Sequence, residues 1–377
     1  MTIITTNLLD LLYLTHIPDD APGFADQLQQ HVVPTDGDEA VPRDHMGIAT
    51  SSNACYFATL MQCLIGYPGM RDVLSLMAQN VGSLGSFEKS VFLLLNDYKS
   101  AVRNVQNLFL ESSIMLNATN ALDLHTKVKK NGPRLKQNEQ HDPSELYAKI
   151  SQLPRSILAR FLRISSNLRT AEVRRCRACN NERSREDIRE QYLLLGFDTE
   201  EIDEELTLLQ MIENYFSESS FVNEEEYRCT FCVKKVELNF YRKKCITKLP
   251  TILRLLVKVS EDRVIDAISQ IKFPTTICFE GEIMCTSEES VLYELFCIIV
   301  HKGTMSEGHY MAIRLCADNR WRLFNDSVVT LINIKTNAKT NSDGTQKTFI
   351  IKDFLAGTAD KEWHPYVFFY KGNPARI

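Results

Sequence analysis

The spacing of apolar residues changes once along this 377-residue chain, and that change most limits what it can fold into. Up to about residue 170 the spacing is helical. Tyr56, Leu60, Met61 and Leu64 share one face of residues 56–65. Residues 87–110 place Val91, Leu94, Leu95, Tyr98, Val102, Val105 and Leu108 at a period of about 3.6. Asp142 and Pro143 open a further helix through Leu146, Tyr147 and Ile150, since proline in the first turn and acids near the N-terminus favour such a start. From 249 to 372 the pattern is instead short β-branched or aromatic runs bounded by turn residues: 252–259, 292–300, 310–315, 321–324 and 366–370. Between the two lies a cysteine-bearing insert, 171–248, with a helix expected from about Glu201 to Phe216. Helices first and strands last indicate an α+β protein with a cleft where the two halves meet.

Several classes are excluded or disfavoured. The net charge of -5 argues against a protein built to coat nucleic acid. The apolar run 291–300 is too short to span a bilayer and contains Glu294, so no membrane association is expected. Residues 1–46 are rich in Pro and Asp. They read as a partly disordered N-terminal extension, with one short helix at 7–14 and no basic secretory start. The eleven cysteines are expected to be reduced thiols of a cytoplasmic or nuclear protein, some of them metal ligands or catalytic. Residues 333–347 are polar and form a surface loop.

Three segments carry chemistry. In 47–62 small and turn-forming residues lead into an amphipathic helix with Cys55 at its start. A helix N-terminus has unpaired N–H groups and partial positive charge, which favour a thiolate and can hold an oxyanion. The competing reading is a buried structural cysteine. Of the eight histidines, His309 has the most suggestive setting, at a turn-to-strand junction after a Gly/Ser loop, with His301 at the other end of that loop. Asn325 ends a short strand expected to pair with the His309 strand. From there an amide oxygen could accept from the imidazole and fix its tautomer. Cys176-x-x-Cys179 and Cys229-x-x-Cys232 are two matched pairs that together complete a closed tetrahedral Zn²⁺ site, structural rather than catalytic. The alternatives are four reduced cysteines without metal, or a redox pair. The remaining cysteines, 63, 245, 278, 285, 297 and 316, are expected to be core or incidental.

Taken together, these segments resemble the ubiquitin-specific protease family of deubiquitinating enzymes, papain-like cysteine proteases shaped as thumb, palm and fingers. GIATSSNACYFATLMQCL resembles the family's Cys box through Asn53, Cys55, Tyr56 and Gln62. IIVHKGTMSEGHYMAIRL resembles its His box through His301, Gly308, His309 and Tyr310, and Trp321, Phe324, Asn325 and Asp326 meet the pattern that follows. QHDPSEL, LPTILRLLVKV, Phe273-Pro274 and YVFFY fall in the family's order.

The resemblance implies a catalytic domain over 47–372: thumb about 47–170, zinc-bearing fingers about 171–248, palm about 249–372. Cys55 would be the nucleophile, His309 the general base and acid, and Asn325 the orienting residue. Asp142 and Glu145, with His301 and Tyr310, would bind substrate, the two acids meeting the basic tail of ubiquitin. Ubiquitin and ubiquitinated proteins would be the partners of a monomeric enzyme. The family's usual oxyanion asparagine is Thr50 here, and its usual glycine is Ser52. Thr50 and the nearby Asn53 are therefore the oxyanion candidates. Two alternatives stay open: a catalytically impaired ubiquitin-binding scaffold, and a protease for a ubiquitin-like modifier.

Overall fold

The computed structural model describes residues 47–49, 54–85, 87–89, 91–92, 94, 108–109, 141–176, 179–196, 206–217, 219–220, 231–232, 240–257, 268–280, 283–285, 291–304, 308–332, 347–355 and 363–372. The 1–46 lead-in with its expected helix, Thr50, Asn53 and Cys229 lie outside these residues, as does all but the end of the 333–347 loop.

Among the described residues, helices dominate the first half: α1 (Cys55–Ile65), α2 (Met70–Gln79), α3 (Pro143–Ser151) and α4 (Ile157–Ser165), with helical residues also between 87 and 94. The starts of α2, α3 and α4 have local causes. Gly69 takes a φ of 79°, a left-handed conformation that costs glycine little, immediately before α2. Asp142 Oδ1 accepts from the N–H groups of Ser144 (2.6 Å) and Glu145 (3.3 Å), with Pro143 in the first turn of α3. Ser156 Oγ accepts from Ala159 N at 2.9 Å and caps α4. Buried Glu88 accepts from Leu158 N at 3.0 Å and ties the 87–94 region to the same helix start.

Among the described residues, the strands longer than two residues are β1 (Leu168–Cys176), β2 (Glu182–Glu190), β3 (Leu193–Leu195), β4 (Phe240–Lys248), β5 (Ile252–Val257), β6 (Thr276–Phe279), β7 (Val291–Gly303), β8 (Gly308–Leu315), β9 (Trp321–Asn325), β10 (Val328–Leu331) and β11 (His364–Gly372), with helix α5 (Leu208–Phe216) between β3 and β4. An eight-stranded sheet runs β10-β9-β8-β7-β11-β5-β3, with β6 paired to the first half of β7. Its pairs are antiparallel except β3 with β5. Both faces are covered. Phe296, Ile299, Ala312, Val367 and Phe369 pack with α1 to α4, while Ile298, Val300, Ile313, Phe368 and Tyr370 pack with α5 and the 349–355 segment. Burial on both faces explains why β7 reads as an almost continuous apolar run rather than an alternation. A smaller four-stranded sheet, ordered β2-β1-β4 and then Ser219–Ser220, carries the cysteine turn at its end. Among the described residues no helix is long and apolar enough to cross a membrane.

Mixed helix and sheet in this order agree with the sequence reading, and the exceptions have identifiable causes. Leu108 was expected on a helix, yet Leu108–Phe109 is a strand paired in parallel with Ile48–Ala49. The helix expected from Glu201 begins at Leu208. Thr207 forms a capping box with Gln210 there, and 197–205 lie outside the described residues. Ile351–Phe354 is a short helix within the strand-rich half.

The expectation that all the cysteines are reduced fails at one pair. Cys245 and Cys285 are joined, with Cα atoms 5.3 Å apart. The cause is tertiary: Ile246 bridges Met284 in parallel and accepts from Cys285 N at 2.9 Å, which brings the two side chains together. The bond closes a separation of 40 residues, which in the loop-entropy picture stabilises the fold by about 4 kcal/mol. Cys245→Ser, or reduction with dithiothreitol, is expected to lower the calorimetric unfolding temperature. An unfolding temperature unchanged by both would show that the bond does not constrain the chain.

Candidate active site

Cys55 is the first residue of α1 and is 5% exposed. Its N-cap residue, Ala54, makes no side-chain cap hydrogen bond, and the Ala54 carbonyl accepts from Phe57 N at 3.0 Å. The segment leading into it is held from the other half of the molecule. Ile48 N donates to Asp326 O at 2.8 Å. At Gly47 a Cβ would overlap the Ser327 carbonyl and lie 2.8 Å from Asp326 O, so the backbones touch where only glycine fits. Asp326 has a φ of 49°, which turns the chain sharply after β9.

That turn also carries the partner of the imidazole. β8 and β9 pair with Ala312 opposite Phe324, and the continuing ends place His309 beside Asn325. His309 Nε2 lies 2.7 Å from Asn325 Oδ1, and 4.0 Å from Asp326 Oδ2. An amide oxygen only accepts, so Nε2 is the protonated nitrogen and Nδ1 is left for the thiol. The structure brings Cys55 and His309 into a side-chain hydrogen bond. The three residues singled out for catalysis therefore meet, from α1, β8 and β9.

The electrostatics separate three neighbouring imidazoles. His309 is raised to about 9, first by its hydrogen bond to Cys55, with burial opposing and Asn325, the Cys55 charge and Asp326 adding. His301 is pushed down to about 4 by burial and by His309, and His364 to about 4 by burial and by His301. At neutral pH the charge sits on His309 and the other two stay neutral. Tyr56, the next residue in α1, is raised to about 12 by burial, then by Cys55 and Glu145.

A cluster of rings lies beside this pair. His301 stacks on Tyr310 at 4.4 Å and touches His364 at 5.2 Å. Gly308 has no room for a Cβ because the His301 ring fills that space. Tyr366 packs 5.7 Å from Tyr310 and donates its hydroxyl to Asp142 Oδ2. Asp142 is thus committed twice, to its helix cap and to Tyr366. Glu145 pairs with Lys149 at 3.0 Å. Tyr366, His364 and Trp363 were not singled out from sequence. Their placement depends on the register of β11 against β7, His301 opposite His364, which no local pattern encodes.

At the far end of the small sheet, the sulfurs of Cys176, Cys179 and Cys232 lie within 4.8 Å of one another, with Cys176 and Cys232 at 3.9 Å. A tetrahedral zinc thiolate with Zn–S of about 2.3 Å has an S–S edge of about 3.8 Å, so these three donors fit that metal. Just after Cys179, Asn180 has a φ of 53° and donates its N–H to Cys176 O at 2.8 Å.

A family model described as ubiquitin carboxyl-terminal hydrolase matches residues 46–370. The chain belongs to that family. Its curated relatives include ubiquitin carboxyl-terminal hydrolase 8 of Saccharomyces cerevisiae, 34% identical over 105 residues, covering 23% of this chain and 21% of the relative. Another is human Ubl carboxyl-terminal hydrolase 18, 27% identical over 214 residues, covering 52% of this chain and 56% of the relative. These matches span about a fifth and just over half of the relatives' own lengths. Among solved structures, a SAGA DUB module of Ubp8, Sgf11, Sus1 and Sgf73 bound to monoubiquitin superposes with a TM-score of 0.64 at 19% identity, covering 94% of this chain and 76% of that one. The same module bound to ubiquitin aldehyde gives 0.62 at 18%, covering 88% and 70%. The likeness to these structures is one of fold. Within the family match lie Cys55, His309, Asn325 and the cysteine cluster.

The raised His309 makes a signed prediction. Its folded value of about 9 exceeds the ordinary 6.5, so its contribution to stability is full below pH 6.5 and is lost as pH rises through about 9. The difference in unfolding temperature between wild type and His309→Asn should follow that course. A difference independent of pH over the same range would contradict the assigned pairing.

Proposed function

We propose that this chain is a deubiquitinase that hydrolyses the bond after the C-terminal glycine of ubiquitin. The observation that carries the reading is the meeting of Cys55, His309 and Asn325 in a member of the ubiquitin carboxyl-terminal hydrolase family. The Cys55 sulfur attacks the glycine carbonyl carbon, and the C–N bond breaks as His309 gives its proton to the leaving amine. The resulting thioester is released by a water that passes its proton to His309 as the C–S bond breaks. Asn325 holds the imidazole so that the same nitrogen serves both steps. Thr50 and Asn53, just before the helix, supply donors for the oxyanion alongside the first-turn N–H groups of α1.

In this reading the helical half (47–170) is the thumb, the small sheet with the cysteine cluster (171–248) the fingers, and the large sheet (249–372) the palm. Asp142, Glu145, His301 and Tyr310 line the path of the ubiquitin tail. Asp142 meets an arginine as an acceptor already oriented by its cap. Cys176, Cys179 and Cys232, with Cys229 as fourth ligand, hold a structural Zn²⁺. The likeness to human Ubl carboxyl-terminal hydrolase 18 favours a second reading, a protease for a ubiquitin-like modifier.

Ubiquitin bearing a C-terminal electrophile is expected to label the chain at Cys55, with Cys55→Ala abolishing the adduct. His309→Asn should lower kcat/KM on a ubiquitin reporter about 100- to 10,000-fold. Labelling by a modifier probe alone would move the substrate assignment, and binding without labelling would make the chain a scaffold. For the metal, carefully purified protein should hold about one zinc per chain. Chelation should weaken ubiquitin capture more than it slows alkylation of Cys55, and metal-free protein with full capture would refute the site.

A further inference from the structure

Trp363 is one of two tryptophans in the chain and is 5% exposed. It directly precedes β11 and packs with the apolar layer formed by Met311, Phe354 and Phe368. Its ring centroid lies 5.9 Å from that of His309, with the planes at 66°. The next residue, His364, lies opposite His301 in register and packs against its ring. Strand alternation sends neighbouring side chains to opposite faces. Trp363 is therefore directed to one imidazole and His364 to the other.

The arrangement sets a buried ring against a part-exposed one. The His309 side chain is 35% exposed, so its own burial does not lock it. Its task requires one ring nitrogen on Asn325 and the other on Cys55, and a rotated ring loses both. An edge-to-face aromatic contact resists that rotation. A cation within about 6 Å of an indole centroid is also attracted by the ring's quadrupole. We propose that Trp363 is a positioning residue for His309: its indole fixes the plane of the imidazole and favours the protonated ring, keeping the Cys55–His309–Asn325 alignment intact. Among the described residues, the charged or titratable groups near His309 are Cys55 from α1, Asp326 from the turn after β9, and His301 and Lys302 from β7, with Lys302 opposite His309 in register.

The inference rests on the catalytic reading of this triad, and its test separates the two. Full-length wild type, Trp363→Ala and Trp363→Phe are compared in two assays. One is the pH profile of Cys55 alkylation by iodoacetamide, followed by mass spectrometry of the Cys55 peptide. The other is kcat and KM on a fluorogenic ubiquitin substrate. Trp363→Ala should lower kcat about tenfold with KM little changed, the size expected for a lost cation–aromatic contact. The acid limb of its alkylation profile should move to higher pH, and Trp363→Phe should recover most of both. A folded Trp363→Ala with the wild-type alkylation profile overturns the inference, whatever its unfolding temperature. A wild type that alkylates normally but cleaves no ubiquitin substrate refutes the proposed function instead, and the alkylation profiles still decide the role of Trp363. Should Trp363→Ala fail to fold, tryptophan emission decides. A protonated imidazole quenches a neighbouring indole, so wild-type emission should titrate with His309 and that titration should vanish in His309→Asn. Emission with no such titration overturns the proposal.

Discussion

The burial of α1 between the helical layer and the large sheet sets the position of everything at the site. From Cys55 to Leu64 every side chain is buried, so the helix cannot slide or rotate without exposing apolar surface. Its far end is gripped by the sheet. Cys63 Sγ lies 3.1 Å from Cys297 Sγ on β7, and Arg314 on β8 donates to Gln62 Oε1 at 3.4 Å. Two guanidinium groups are buried in this region. Arg314 stands 4.8 Å over the Phe324 ring, and Arg254 stacks 3.6 Å above Tyr147. Aromatic faces offset part of the cost of removing these cations from water. The near end is fixed by the close approach of Gly47 to the Asp326–Ser327 turn. A thiol from one half of the chain and an imidazole from the other are thus aligned by packing at both ends of one helix.

Charge is distributed around that thiol with the same economy. Three imidazoles lie in contact or near contact, yet only His309 faces groups that favour its proton. His301 and His364 face each other and apolar rings, and burial keeps them neutral. Asp142 shows a related arrangement on the other side, where the helix cap and Tyr366 orient both carboxylate oxygens.

Much of this was legible in the sequence where the signal is local. The periodicity of α1, the Asp142-Pro143 start of α3 and the β-branched runs of the sheet depend on residues within a few positions of each other. The structure places all of them close to where the spacing does. Cys55, His309 and Asn325 were readable because each sits at a recognisable transition into or out of an element. What escaped is set by distant partners. Leu108–Phe109 is a strand only because Ile48–Ala49 lies beside it. Cys245 and Cys285 meet because β4 passes the 283–285 segment, and no spacing between two cysteines forecasts that. Trp363 and Tyr366 acquire their roles from the register of β11.

The Cys245–Cys285 bond adds a covalent connection to strand β4. At one end the strand pairs Phe240 with Cys176, next to the sulfur cluster, and near the other it is bonded to the segment that precedes β7. β7 in turn pairs Lys302 with His309. The small sheet that carries the cysteine cluster is therefore joined to the rest of the molecule by a covalent cross-link as well as by the main chain.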